Sequence, residues 1–153
     1  FEWLDKLAAE SRTGTAIGDA EYPFVLCAGE RRPSNATTNY RDPAWRSQDP
    51  QGVLRMHSED AARVGVQHGD QVLCESRTGG VVAQVQIDAT VRPGVVSLPH
   101  GFGLRYTNER GERVPHGPLV NLLSASGHCD PLTKTPYHKN IAVRLRKHTG
   151  QGA

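Results

Sequence analysis

Apolar and polar positions alternate most regularly between residues 80 and 88. Val81, Ala83, Val85 and Ile87 alternate there with Val82, Gln84, Gln86 and Asp88, the period-two pattern of a strand with one buried face. Just before it, Val72 and Cys74 alternate with Leu73 and Glu75, and Thr78-Gly79-Gly80 between the two runs suits a short hairpin loop. An antiparallel pair is predicted. Ahead of this pair the pattern predicts an extended entry segment from Val53 and a short helix. The helix is capped by the Ser58 hydroxyl, has Glu59 and Asp60 at its positive end, and stops at Gly65. Behind the pair, Pro93-Gly94 marks a turn into a third strand ending at Pro99.

The flanks are read the same way. Phe1 to Ser11 places Trp3, Leu4, Leu7 and Ala8 at helical spacing, so residues 1–21 are read as a helix and linker. Tyr22 to Ala28 is nearly continuous in apolar residues and reads as a strand buried on both faces. Leu104 to Pro118 lacks periodicity and reads as an exposed loop, and Val120 to Ser124 as a short apolar patch. Asp130 to Lys139 is punctuated by Pro131 and Pro136. Ile141, Val143 and Leu145 then alternate with Ala142, Arg144 and Arg146 in a final strand. Several short strands, one or two short helices and many Gly or Pro turns point to a small, mainly β barrel over residues 22–147, with a frayed tail over 148–153.

Length and composition fit this picture. A 153-residue chain is long enough to bury roughly two thirds of its unfolded surface in one core. Its net charge is +2, unevenly spread: from Arg105 onward there are eight Lys or Arg against three acids, an excess suited to phosphate or simply to a solvated face. Cys27, Cys74 and Cys129 are odd in number and far apart, which argues against a disulfide framework and favours a reducing compartment, so a cytoplasmic location is expected. No apolar run is long enough to span a membrane. Phe1 in place of methionine leads to the expectation of a piece cut from a longer protein.

Candidate chemistry is concentrated in one loop. Gly29-Glu30-Arg31-Arg32-Pro33-Ser34 runs on through Asn35, Thr37, Thr38 and Asn39 to Arg41-Asp42-Pro43. Glycine permits close backbone approach, arginines fork onto phosphate oxygens, and hydroxyls and amides add directed donors. Such a composition binds anions, although a solvated loop also looks like this. Catalytic patterns are missing. The seven histidines show no metal-ligand spacing, there is no Cys-x-x-Cys, and Gly-x-Ser-x-Gly and phosphate-loop motifs are absent. His128 beside Cys129 is adjacency in sequence, which is not the geometry a nucleophile and base require. His100-Gly101-Phe102-Gly103 either admits a ligand or makes a turn, and lacks the rest of a dinucleotide fingerprint.

Taken together in order and spacing, several short motifs resemble the molybdopterin dinucleotide-binding, C-terminal domain of the dimethyl sulfoxide reductase superfamily of molybdenum and tungsten oxidoreductases. They are the strand into Ala28-Gly29-Glu30-Arg31-Arg32, Arg41-Asp42-Pro43 with Trp45, Asp60-Ala61, Gly65, Gly69-Asp70, Pro93-Gly94, His100-Gly101-Phe102-Gly103, Asn121 to Ser124, Asp130-Pro131 and Thr135 to Lys139. The resemblance runs from about Tyr22 to Leu145. It departs at Thr37-Thr38, where the family often has Asn-Thr, and at Asn121-Leu122-Leu123-Ser124, where it often has Asn-Glu-Leu-Thr.

The resemblance implies a double-psi β-barrel that binds molybdopterin guanine dinucleotide, present as a bis-form with molybdenum or tungsten in a parent enzyme of the formate dehydrogenase or nitrate reductase kind. Ala28, Gly29, Glu30, Arg31, Arg32, Ser34, Thr37 and Thr38 would meet the nucleotide and diphosphate. Asn121, Asp130, His138 and Lys139 would reach the pterin end. Metal ligand and redox clusters would belong to the remaining domains of that oxidoreductase, its expected partners, so no activity is expected of this chain alone. The alternatives are a stand-alone double-psi barrel that binds nucleic acid or protein through its basic last third, and a barrel decarboxylase of the pyruvoyl kind. The latter needs a self-cleaving Gly-Ser pair that the sequence lacks.

Overall fold

The computed structural model describes residues 18–30, 51–127, 129, 130 and 132–150. Its strands are β1 (Phe24–Glu30), β2 (Leu54–Met56), β3 (Gln71–Glu75), β4 (Gly80–Ile87), β5 (Val95–Pro99), β6 (Arg105–Thr107), β7 (Arg113–Pro115) and β8 (Lys139–Lys147). One helix, α1 (Ser58–Val64), lies between β2 and β3, and a 3-10 turn spans Val120–Leu123. Six strands close into a barrel in the order β1-β5-β2-β4-β3-β8. This is the mainly β, double-psi barrel that the resemblance implies. Two parallel pairings, β1 with β5 and β2 with β4, cross over intervening strands, and antiparallel pairings join the rest. Closure leaves the barrel without an open edge to protect.

The core follows from alternation. Val81, Ala83 and Val85 of β4 are buried, as are Val72 and Cys74 of β3 and Ile141, Val143 and Leu145 of β8. These meet Leu26, Leu54, Met56, Val96 and Leu98 in one cluster. Each large aliphatic side chain removed from water there contributes about 1.5 to 3 kcal/mol. Glu75 pairs with Gly80 in the register, so the β3–β4 loop is residues 76–79.

Four expectations need correction. First, β1 alternates buried and half-buried residues, because only one of its faces meets the barrel interior. Second, Ser58 is the first helical residue and not the cap. His57 holds the cap position, its Nδ1 accepting from the Glu59 N–H at 3.3 Å, while Gly65 ends the helix in the left-handed region as expected. Third, the stretch read as a loop contains the β6–β7 hairpin, whose strands are exposed on most positions and so show no apolar alternation. Fourth, the final strand begins at Lys139, two residues earlier than the apolar alternation shows. The helix read over Phe1 to Ser11 lies outside the described residues. No helix among those described is long and apolar enough to cross a membrane.

Candidate functional site at one end of the barrel

β1 and β5 are parallel and β8 runs against β1, so the ends of β1 and β5 and the start of β8 meet at one end of the barrel. Both register shifts among the described strand pairings lie there. In the β1–β5 register Ala28 faces Leu98 and Glu30 faces Pro99, leaving Gly29 as an extra residue at φ 82°. In the β1–β8 register Leu26 faces Ile141 and Cys27 faces Lys139, leaving Asn140 as an extra residue at φ 67°. β1 is therefore flanked by a bulge on each side. Bulges end regular pairing and re-aim side chains, and they are common beside binding sites.

The bulge at Gly29 makes room for a ring. A β-carbon at Gly29 would lie 2.3 Å from Nε2 of His100, so the His100 imidazole occupies the space a side chain would need. His138 stands edge-on to His100, with ring centroids 5.4 Å apart and planes 81° apart. The Ala28 N–H donates to the His138 carbonyl at 2.9 Å, which fixes the start of β8 against β1. Lys139 follows, exposed at the head of β8. Ala28, Gly29, Glu30, His138 and Lys139, all expected at the site from the resemblance, are thus neighbours in the fold. His100 joins them without having been named as a site residue. The only trace it leaves in sequence is its place in the His-Gly-Phe-Gly turn.

The rest of this end is roofed by the chain beyond His100. Phe102 is buried and packs over Gly52 and Gly117, and the Gly103 N–H donates to the His116 carbonyl at 2.7 Å. The 3-10 turn follows and sits against β4 and the β3–β4 hairpin, where the Thr78 hydroxyl donates to the Leu122 carbonyl at 3.4 Å. Asn121 is exposed in that turn, its carbonyl accepting from the Ser124 hydroxyl at 3.1 Å. It lies on the same end as Gly29 but on the β3–β4 side. Asp130 is engaged in its own loop, where its Oδ1 accepts from the N–H groups of Leu132 and Thr133 at 3.0 and 2.7 Å and from the Thr133 hydroxyl. These bonds, the Thr133 N–H first, hold its carboxyl below the usual range. Arg31, Arg32, Ser34, Thr37 and Thr38 lie outside the described residues.

Charge is distributed less simply than the sequence suggests. Glu75 accepts from Arg144 Nε at 3.1 Å and from Arg146, and Arg144 also reaches Glu21 at 3.3 Å. Lys147 donates to Asp70 at 2.8 Å. Arg77 pairs with Asp19 and lies over the Tyr22 ring at 4.5 Å, with Arg144 also near that ring at 5.2 Å. Much of the basic excess after Arg105 is therefore taken up in ion pairs on the β3–β8 wall. Lys139, by contrast, makes no ion pair among the described residues. Burial pushes the Cys74 thiol up to about 12, so it stays protonated and is a core residue, not a nucleophile. Among the described residues no three His, Cys, Asp or Glu side chains converge as metal ligands. A concavity of about 300 Å³ lies outside the barrel between β2, β5 and the turn after β4, lined by Arg55, Asp88, Thr90, Arg92 and Ser97 among others.

The fold defines a class: a closed six-stranded β-barrel with an apolar, filled interior. The chain belongs to the molydopterin dinucleotide binding domain family, whose pattern matches residues 24–142. It is 33% identical over 144 residues to a nitrate reductase of Symbiobacterium thermophilum, covering 92% of this chain and 18% of that protein. It is 29% identical over 131 residues to the periplasmic nitrate reductase of Desulfovibrio desulfuricans, covering 84% and 16% respectively. Among solved structures, acetylene hydratase from Pelobacter acetylenicus superposes with a TM-score of 0.70 at 23% identity, over 84% of this chain and 19% of that one, a likeness of fold. The chain thus spans less than a fifth of the length of these relatives.

Proposed function

We propose that this chain is the cofactor-holding domain of a larger molybdenum or tungsten oxidoreductase, of the nitrate reductase or formate dehydrogenase kind. In this reading it binds the guanine dinucleotide form of molybdopterin across the barrel end where β1, β5 and β8 meet. The observation that carries the reading is the convergence of Gly29, His138 and Lys139 at that end, in a chain of this family. The bound cofactor supplies the redox chemistry, through its metal. The chain's own part is to bind, orient and hold.

Each step of holding has a physical reason. A diphosphate gives up hydration on binding, and only ionic groups or aligned N–H donors compensate for that loss. Gly29, with no side chain, makes room for the His100 ring at this end, and Arg31 and Arg32 follow it directly in sequence. Ser34, Thr37 and Thr38 add hydroxyl donors along the same loop. Lys139 brings a cation to the head of β8, and the bulge at Asn140 turns the strand beneath it. Asn121 and the Asp130 loop complete the pterin side. The metal ligand, electron-transfer centres and substrate pocket fall to the rest of the enzyme.

The reading is tested by an NMR titration of the 153-residue chain with guanosine diphosphate. Because the fragment supplies only part of the site, binding on the order of millimolar, roughly 4 kcal/mol, is expected. Shifts should centre on the Gly29 to Thr38 amides, weaken in Arg31→Ala, and weaken much less in Lys139→Ala, since the lysine faces the pterin portion. Shifts centred on β4, or equal competition by duplex DNA, would instead favour a nucleic-acid barrel.

A further inference from the structure

We propose that His100 and His138 form a shared proton site that seats an anionic oxygen beside Gly29, so that binding of the ligand's diphosphate draws a proton from solvent. The inference rests on the dinucleotide reading above and adds to it a residue, His100, and a coupling to pH. Its basis is geometric. The two imidazoles meet edge to face at 5.4 Å, and one of them lies on Gly29, the residue that bulges out of β1 two positions before Arg31 in sequence.

An aromatic edge is electropositive and a face electronegative, so a T-shaped pair accommodates one positive charge more readily than two. A second proton becomes favourable only when an anion sits beside both rings, because the anion offsets their mutual repulsion. Imidazole is the side chain that changes charge between about pH 5 and pH 8. Affinity is therefore full at acid pH and falls as the pH rises and the extra proton is lost. Among the described residues, the other titratable groups on the elements meeting there are Cys27 and Glu30 of β1, Tyr137 and Lys139 around the head of β8, and His116, whose carbonyl accepts from Gly103. Of these, Lys139 is the permanent cation. Its charge does not vary over this range, so the pH dependence lies with the two rings.

The test uses inorganic pyrophosphate and guanosine diphosphate with the full chain. In the unmutated protein, the ring signals of His100 and His138 are followed by NMR against pH, with and without pyrophosphate. Both titration midpoints should move to higher pH when pyrophosphate is added, and unmoved midpoints overturn the proposal. Binding of guanosine diphosphate is then compared at pH 5.5 and pH 8 in the unmutated chain and in His100→Gln. The ligand's terminal phosphate itself gains a proton near pH 6, so the variant's pH ratio serves as the baseline. The unmutated chain should exceed that baseline by about fivefold in favour of acid pH, the gain from making a hydrogen bond to a charged donor instead of a neutral one. Equal ratios with binding intact would sink the proton coupling and leave the cofactor reading standing. No binding of either ligand at any pH would remove both.

Discussion

The two ends of the barrel are finished in opposite ways. At the end carrying α1, a fully buried carboxylate closes the structure: Asp60 Oδ2 accepts from the Gly94 N–H at 2.6 Å and Oδ1 from Arg63 at 3.0 Å. That latch ties the helix to the turn entering β5, and Arg63 also lies over the Phe24 ring at 5.3 Å. At the other end, the bulges at Gly29 in β1 and Asn140 in β8 both have positive φ, and two half-buried imidazoles and an exposed lysine stand at the rim. One end spends its polar groups on the fold. The other leaves backbone irregularity and titratable rings where a ligand can use them. Asp60 and Gly94, two of the positions on which the resemblance was read, thus serve the architecture, whereas Gly29 and His138 stand at the proposed site.

Both ends hang on the same wall, so the largest effect is expected in β4. Val85→Asp puts a carboxylate among fully buried aliphatic side chains and should abolish the folding transition seen by circular dichroism. Gln84→Asp, on the outer face of the same strand, should still melt cooperatively. Equal behaviour of the two would mean that the faces of β4 are reversed.

Next comes the latch. Asp60→Ala leaves the Gly94 N–H and Arg63 without their shared acceptor and should cost about 3 kcal/mol in urea unfolding. The ring signals of His100 and His138 at the far end should not move. Transmission of the change to those rings would show that the two ends are not independent.

Smallest is the ion-pair wall. The Arg146 guanidinium, then Arg144, holds the Glu75 carboxyl below the usual range. A depressed folded-state value contributes stability above the unfolded value of about 4.3 and loses it as pH falls through the folded value. Glu75→Gln should therefore lower stability at pH 7 by less than about 1 kcal/mol, as expected for a largely solvent-screened pair. The variant and parent should converge once the pH has fallen through that folded value. A constant difference down to pH 2 would mean that the lost energy is packing and not charge.

What the sequence disclosed, and what it hid, follows the same physics. β3, β4 and β8 were legible because one face of each is buried and the other wet, which writes a period of two into the chain. The β6–β7 hairpin was not, because only Tyr106 and Val114 are half-buried and nothing on either strand is forced to be apolar. The parallel pairings were hidden too, since strands distant in sequence leave no local trace of whom they pair with. At the proposed site, Gly29 was singled out by the composition of the loop it opens, and Lys139 by the family resemblance. The bulge at Asn140 and the contact between His100 and Gly29 depend on how three separated strands register, and a single asparagine or histidine does not record that. The basic excess after Arg105 was legible as charge, but its absorption by Glu75, Asp70 and Glu21 appears only in three dimensions.

The central claim is that the dinucleotide is held at the end where β1, β5 and β8 meet. A crystal structure of the chain grown with guanosine diphosphate tests it most directly. The account predicts diphosphate density within hydrogen-bonding reach of the Gly29 backbone and on the side of His100 and His138. Density in the outer concavity between Arg55 and Arg92, with the Gly29 end bare, would contradict it.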